Sequence, residues 1–167
     1  DFMGQGMVAP SWGNPSLWYD TNISKKTLLL DAIRKLDSIE KYVRASTPEV
    51  YGSTNDGWIK ENFNFNPTTP YAVSRASCDL HLLSFFKAYD FPVVFTRAAN
   101  VYGPGQQLYR VIPRACLSAL TGKSFNLNGG GLSKRSFIHI KDVVRATIDI
   151  ALEAEPGSSW HISTNEA

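Results

Sequence analysis

The sequence predicts an α/β protein built on a parallel sheet, and three observations predict it. Residues 41–46 form an extended run that ends in a turn, residues 70–89 carry a helical pattern, and Pro92-Val93-Val94-Phe95-Thr96-Arg97 is a nearly unbroken apolar stretch. Strands that read as continuous apolar runs are those covered by helices on both sheet faces. Strand, helix, strand is the repeating unit of such sheets.

Composition sets the bounds. With 167 residues, 43% of them hydrophobic and 19% charged, the chain has enough apolar mass for one domain with a substantial core. A formal net charge of +2, with no run of lysine or arginine, argues against nucleic acid or a membrane surface as partner. No apolar run reaches membrane-spanning length, and Asp1-Phe2-Met3-Gly4 lacks the basic-then-apolar order of a signal peptide, so a soluble cytoplasmic protein is expected. Cys78 and Cys116 both fall in predicted helices, where buried thiols are expected. His81, His139 and His161 show no ligand spacing, and no metal is expected.

In chain order, residues 1–13 are glycine-rich and aperiodic and are expected to form a loop. Asn14 as cap and Pro15 in the first turn open a helix over 15–35, with Leu17, Trp18, Asn22, Leu28, Leu29, Ala32 and Ile33 as its inward stripe. Asn22 is the polar member of that stripe, a half-exposed position or a functional one. The strand at 41–46 leads into the turn Thr47-Pro48-Glu49-Val50-Tyr51-Gly52, at the strand end where ligands collect in open parallel sheets. A polar loop over 56–66 precedes the helix at 70–89, which Thr68 or Thr69 can cap, which takes Pro70 in its first turn, and which stops before Phe91-Pro92. Beyond the apolar strand come a turn-rich loop at 101–106, a helix at 107–120, a short strand at 124–127, an extended stretch at 136–140, a helix over 143–153 capped by Asp142, and a last strand within 157–162. Gly129-Gly130-Gly131 lacks the strand-turn-helix context and following lysine of a phosphate loop, and Gly4-Gln5-Gly6 lacks a third glycine at the right interval, so neither is read as a phosphate cradle.

The chemistry centres on Tyr71-Ala72-Val73-Ser74-Arg75. Four residues apart on a helix, Tyr71 and Arg75 project from one face, so the guanidinium can favour the ionised phenol. Two unit charges about 4 Å apart at an effective dielectric of about 20 interact by roughly 4 kcal/mol, enough to draw a tyrosine toward acid/base work near neutral pH.

Four ordered blocks then carry a resemblance over nearly the whole chain. Ser46-Thr47-Pro48-Glu49-Val50-Tyr51-Gly52 is similar to Ser-Thr-x-Glu-x-Tyr-Gly, Tyr71-Ala72-Val73-Ser74-Arg75 to Tyr-x-x-x-Lys, Arg97-Ala98-Ala99-Asn100-Val101-Tyr102-Gly103-Pro104 to Arg-x-x-Asn-x-Tyr-Gly-Pro, and Arg135-Ser136-Phe137-Ile138-His139-Ile140-Lys141-Asp142-Val143 to Arg-Asp-Phe-x-x-Val-x-Asp-Val. In these the chain resembles the middle and later part of the extended short-chain dehydrogenase/reductases of the nucleotide-sugar epimerase/dehydratase family.

That resemblance implies the later part of a Rossmann-like parallel sheet with helices on both faces over 1–100, and a small substrate-binding lobe with a returning sheet segment over 101–167. It implies NAD, or alternatively NADP, as cofactor and a nucleotide-sugar as substrate, with a 4,6-dehydratase or epimerase reaction through a transient keto-sugar. It makes Tyr71 the proton acceptor, Arg75 its activator and a cofactor ligand, Thr47 a hydroxyl on the reacting sugar oxygen, and Glu49 the base for the neighbouring C–H. Asn22, Ser46 and Ala98 would lie by the cofactor, and Asn100, Arg110 and Arg135 would hold the substrate, Arg135 on its diphosphate. Arg75 stands where the family has lysine, and keeps the charge on a longer planar group. Pro48 stands where thymidine-linked dehydratases place an aspartic acid, so Glu49 alone would abstract a proton and return it to the leaving oxygen. The glycine-rich dinucleotide turn would precede Asp1, so the chain is expected to be a fragment that cannot hold NAD alone. A homodimer through the helices at 15–35 and 70–89 is the family's pattern. The alternative is a non-catalytic nucleotide-sugar-binding or interaction module derived from the same fold.

Overall fold

The computed structural model describes residues 1–53, 58–131 and 134–165. Its centre is a three-stranded parallel sheet in the order β1 (Tyr42–Ala45), β2 (Val93–Ala98), β5 (Ser159–Ile162), with Tyr42 beside Val93 and Phe95 beside Ser159. Asp1 lies along the outer edge of β1, its amino group donating to the Val43 carbonyl at 2.6 Å and its carbonyl accepting from Ala45 N–H at 3.1 Å. Val93 through Arg97 are all buried, as the unbroken apolar run requires. The protein is therefore α/β with a Rossmann-like parallel sheet.

The long helix α4 (Pro70–Tyr89) packs on β2 and lays Cys78, Leu82 and Phe85 against Val93 and Phe95, with Leu30 closing the cluster. Thr69 caps it, its Oγ1 accepting from Ala72 N–H at 3.1 Å, and Asp90 ends it in the left-handed region. On β2 and β5 also packs α6 (Ile140–Glu153).

Between Ala99 and Asn100 the chain changes sheets. Ala99 N–H donates to the Ile162 carbonyl of the large sheet at 2.9 Å, and Asn100 N–H donates to the Ser136 carbonyl at 3.1 Å. From there β3 (Asn100–Tyr102) pairs in parallel with β4 (Phe137–His139), and α5 (Val111–Thr121) follows β3. Such a divergence at strand ends leaves an opening.

Several expectations need correction. The loop expected over 1–13 contains a helical turn, α1 (Ala9–Gly13), with Pro10 in its first turn and Ser11 buried. The helix expected over 15–35 is α2 (Pro15–Tyr19) and α3 (Lys26–Ile33) joined by a π-helical turn, Asp20–Lys25. The wider turn changes the phase, so the buried row is Trp18, Asn22, Lys26 and Leu30, while Leu17 and Leu28 are exposed. Asn14 occupies the N-cap position of α2 as expected, but its side chain makes no bond to the helix N–H groups; its Oδ1 accepts from the Ser16 hydroxyl instead, at 2.7 Å. Val101 and Tyr102, expected in a loop, belong to β3, and the helix expected from 107 starts at Val111. Residues 124–127 form no strand and pair with neither sheet. The His139 ring, not Asp142, caps α6, Nδ1 accepting from Lys141 N–H at 3.2 Å, since the helix begins three residues earlier than expected. Cys78 is buried, whereas Cys116 lies on the exposed side of α5. Of the loop read over 56–66, residues 56–57 lie outside the described part.

Candidate active site

The carboxyl end of β1 delivers the first side chains of the cleft. Thr47 follows the strand and caps the 3-10 turn Pro48–Tyr51, its Oγ1 accepting from Glu49 N–H at 3.3 Å while its own proton remains to donate. Tyr71 is the second residue of α4, and its N–H, one of the donors a helix start leaves without a partner inside the helix, is taken by Ser11 Oγ at 3.1 Å. Ala98, Ala99 and Asn100 come from the point where the sheets part.

These residues meet in one cleft of about 330 Å³. Thr47, Glu49 and Tyr71 line it together with Ala98, Asn100, Arg110 and Arg135. Arg135 reaches across to Glu49, Nη1 to Oε1 at 3.2 Å. Asn100 donates its amide to the Ser136 carbonyl at 3.1 Å, tying β3 to β4 at the cleft wall. Sequence reasoning missed Met7, Val8, Gln106, Ile112 and Phe137, which also line the cleft, and Ser11, which seats Tyr71. Pro10 was the one available signal for the turn that carries Ser11.

Asn22, Ser46 and Arg75 stand behind the cleft rather than in its lining. Asn22 is buried on the π-helical turn, accepts from Gln5 N–H at 2.7 Å and donates to the Gln5 carbonyl at 3.0 Å and to Ser74 Oγ at 2.9 Å. It thereby fixes the segment that brings Met7 and Val8 to the cleft. Ser46 donates to Asp79 Oδ2 at 2.5 Å. Arg75 is buried and donates through Nη2 to the Ala45 carbonyl. Burial lowers the Arg75 pKa and Arg44 adds to this, while Tyr71 and Asp79 pull it back up. Phenol, guanidinium and the Asp79 carboxylate thus follow one another at four-residue intervals along one face of α4.

Arg44 on β1 and Arg97 on β2 are fully buried and both approach Asp79, Arg44 Nε at 3.5 Å and Arg97 Nη2 at 3.2 Å, while Arg44 Nη1 also meets Asp1 Oδ2 at 3.0 Å. Arg97 also sits among the rings of Tyr51, Phe63, Phe65 and Phe95, at 5.1 to 5.8 Å from their centres. Among the described residues no group of three or more His, Cys, Asp or Glu side chains gathers to hold a metal. No helix among them is long and apolar enough to cross a membrane.

A parallel α/β sheet with a hydroxyl, a carboxylate and a phenol gathered at its strand ends defines a class of protein equipped for acid/base chemistry on a small polar ligand. The model of the NAD dependent epimerase/dehydratase family matches residues 2–163, and the chain belongs to that family. It is 39% identical over 127 residues to mouse dTDP-D-glucose 4,6-dehydratase, which covers 76% of this chain and 36% of the mouse protein. It is 31% identical over 166 residues to a trifunctional UDP-glucose 4,6-dehydratase/UDP-4-keto-6-deoxy-D-glucose 3,5-epimerase/UDP-4-keto-L-rhamnose-reductase of Arabidopsis thaliana, covering 98% of this chain and 25% of that one. Among solved structures, the dTDP-glucose 4,6-dehydratase DesIV of Streptomyces venezuelae with NAD and DAU bound superposes with a TM-score of 0.88 at 30% identity, covering 96% of this chain and 50% of DesIV. UDP-glucuronic acid 4-epimerase of Bacillus cereus, in complex with UDP-glucuronic acid and NAD, gives 0.89 at 28% identity, covering 99% and 53%. The chain thus spans about a third of the mouse relative and half of these two structures.

Proposed function

We propose that this chain is the catalytic portion of an NAD-dependent nucleotide-sugar 4,6-dehydratase or epimerase that works through a transient keto-sugar. One observation carries the reading: Thr47, Glu49 and Tyr71 line a single cleft that also holds Arg110 and Arg135. A hydroxyl, a carboxylate and a phenol suit proton traffic around a sugar ring, and two guanidinium groups suit a diphosphate.

The residues present fit the nicotinamide end of the cofactor. Met7, Val8 and Ala98 offer an apolar wall to a planar ring beside the Tyr71 hydroxyl, and the buried Arg75 supplies positive charge behind it. When bound, NAD supplies a hydride acceptor for the sugar carbon. Tyr71 takes the proton of the sugar hydroxyl as that carbon is oxidised, and Thr47 donates a hydrogen bond to the same oxygen. Arg75 places a positive charge one turn along α4 from the phenol. Glu49 removes the proton beside the new carbonyl and, for dehydration, returns it to the leaving oxygen, since Pro48 has no proton to give. Arg110 and Arg135 hold the diphosphate, and Asn100 braces the wall between them and the sugar.

We further propose a homodimer through α2–α3 and α4, where Leu28 and Leu80 are exposed apolar side chains. Substituting both by glutamate is expected to give a monomer by analytical ultracentrifugation, and an unchanged sedimentation coefficient would count against the interface.

The function is tested by incubating the full polypeptide with NAD and thymidine- or uridine-linked sugars. Appearance of keto-sugar absorbance, or exchange of labelled hydride into the sugar, is expected. Nucleotide-sugar binding without any hydride exchange would instead favour a non-catalytic module.

A further inference from the structure

We infer that Arg135 and Glu49 form an exchangeable pair: the guanidinium holds the carboxylate while the cleft is empty, and an arriving diphosphate takes the guanidinium and releases the carboxylate for proton abstraction. Glu49 is the one carboxylate among the described residues lining the cleft, and Arg110 and Arg135 are the two cations. An anion that takes Arg135 must compete with Glu49.

The pair is built to be broken. It joins the turn after β1 to the residues before β4, 86 positions apart, through one Nη1 to Oε1 contact of 3.2 Å. The arginine side chain is 51% exposed and the glutamate 32%, so solvent screens the attraction and such a pair is weak. A diphosphate offers two or more charged oxygens to the planar fork and binds it bidentately, a stronger arrangement than a single carboxylate contact. Glu49 sits on the same wall as Thr47 and faces the same cleft as Tyr71, so an oxygen freed from Arg135 is left beside the reacting region. Substrate binding and the availability of the base are then coupled, and the coupling is reciprocal: the factor by which Glu49 weakens diphosphate binding is the factor by which the diphosphate weakens the Glu49–Arg135 contact.

This inference rests on the proposed reading of Arg135 as a diphosphate ligand, and the test separates the two. Affinity for UDP and for dTDP is measured by titration calorimetry on the full polypeptide and on the Glu49→Gln, Arg135→Gln and double variants, with circular dichroism confirming that each is folded. Glu49→Gln is expected to bind the nucleotide about two- to fivefold more tightly, the range that loss of an exposed competing pair gives. Arg135→Gln is expected to bind about tenfold more weakly, and adding Glu49→Gln to it should change nothing further. Carboxyl-labelled glutamate gives a second readout: the Glu49 resonance should move on UDP addition in the unmodified protein and stay fixed in Arg135→Gln. If Arg135→Gln weakens binding but Glu49→Gln leaves it unchanged or weaker, the exchange is overturned and the diphosphate role of Arg135 stands. If Arg135→Gln has no effect, or if neither nucleotide binds, both fall.

Discussion

Arg97 and Asp79 meet at 3.2 Å with neither side chain exposed to solvent, one from the central strand and the other from the helix that carries Tyr71. Asp79 also accepts from Ser46 and faces Arg44, so a single carboxylate holds the carboxyl ends of β1 and β2 against the middle of α4. These are the elements that present Thr47 and Tyr71 to one another.

Replacing that carboxylate by its neutral isostere should therefore cost far more than a surface pair. Asp79→Asn leaves the buried Arg97 guanidinium without a carboxylate, while Arg44 keeps the Asp1 carboxylate at 3.0 Å, and is expected to destabilise the protein by about 3–5 kcal/mol. Urea unfolding followed by circular dichroism measures it, and a loss below about 1 kcal/mol would show that the cluster does not hold the strands together.

Little of this buried cluster was legible in the sequence. Periodicity locates apolar faces and treats arginine as a surface residue, so Arg44 and Arg97 inside strands give no signal until Asp79 is placed opposite them. What did show was local: the cap at Thr69, the apolar run of β2 and the strand-end turn at Thr47 each depend on neighbouring residues in the chain, and each lies where its residue types predict. The α1 turn did not show, because five residues have no period and the reason for their conformation is a contact with Tyr71 sixty residues away. The π-helical turn escaped for a related cause. It inserts a phase change that only the bonds of Asn22 to Gln5 and Ser74 make worthwhile.

Gly4 is required by close approach. A Cβ there would collide with the Arg75 guanidinium and come within 3.1 Å of Asn22 Oδ1. Gly4→Ala forces the buried Arg75 guanidinium away from its bond to the Ala45 carbonyl and is expected to lower stability by about 1 kcal/mol. Thermal unfolding checks the cost, and Gly6→Ala, where nothing lies within 4 Å of the added carbon, serves as the control expected to be near neutral.

His161 gives a pH dependence with a definite sign. Its Nε2 lies 3.1 Å from the Tyr51 hydroxyl, and burial pushes the imidazole below its usual value, with Glu61 opposing and Arg97 reinforcing. The unfolded chain therefore takes up the proton first as pH falls. Stability from this group is complete above about pH 6.5 and declines as pH drops from there through the folded-state value. The difference in unfolding free energy between the unmodified protein and His161→Gln should shrink between pH 8 and pH 5; a constant difference would mean that the ring titrates alike in both states.

The central claim is that Tyr71 accepts a proton from a sugar held beside Thr47 and Glu49, and Tyr71→Phe in the full polypeptide tests it most directly. With NAD and a nucleotide-sugar that the unmodified protein converts, turnover should fall by about 10²- to 10⁴-fold while UDP or dTDP affinity stays within about threefold. Turnover of the phenylalanine variant within tenfold of the unmodified protein would contradict the account.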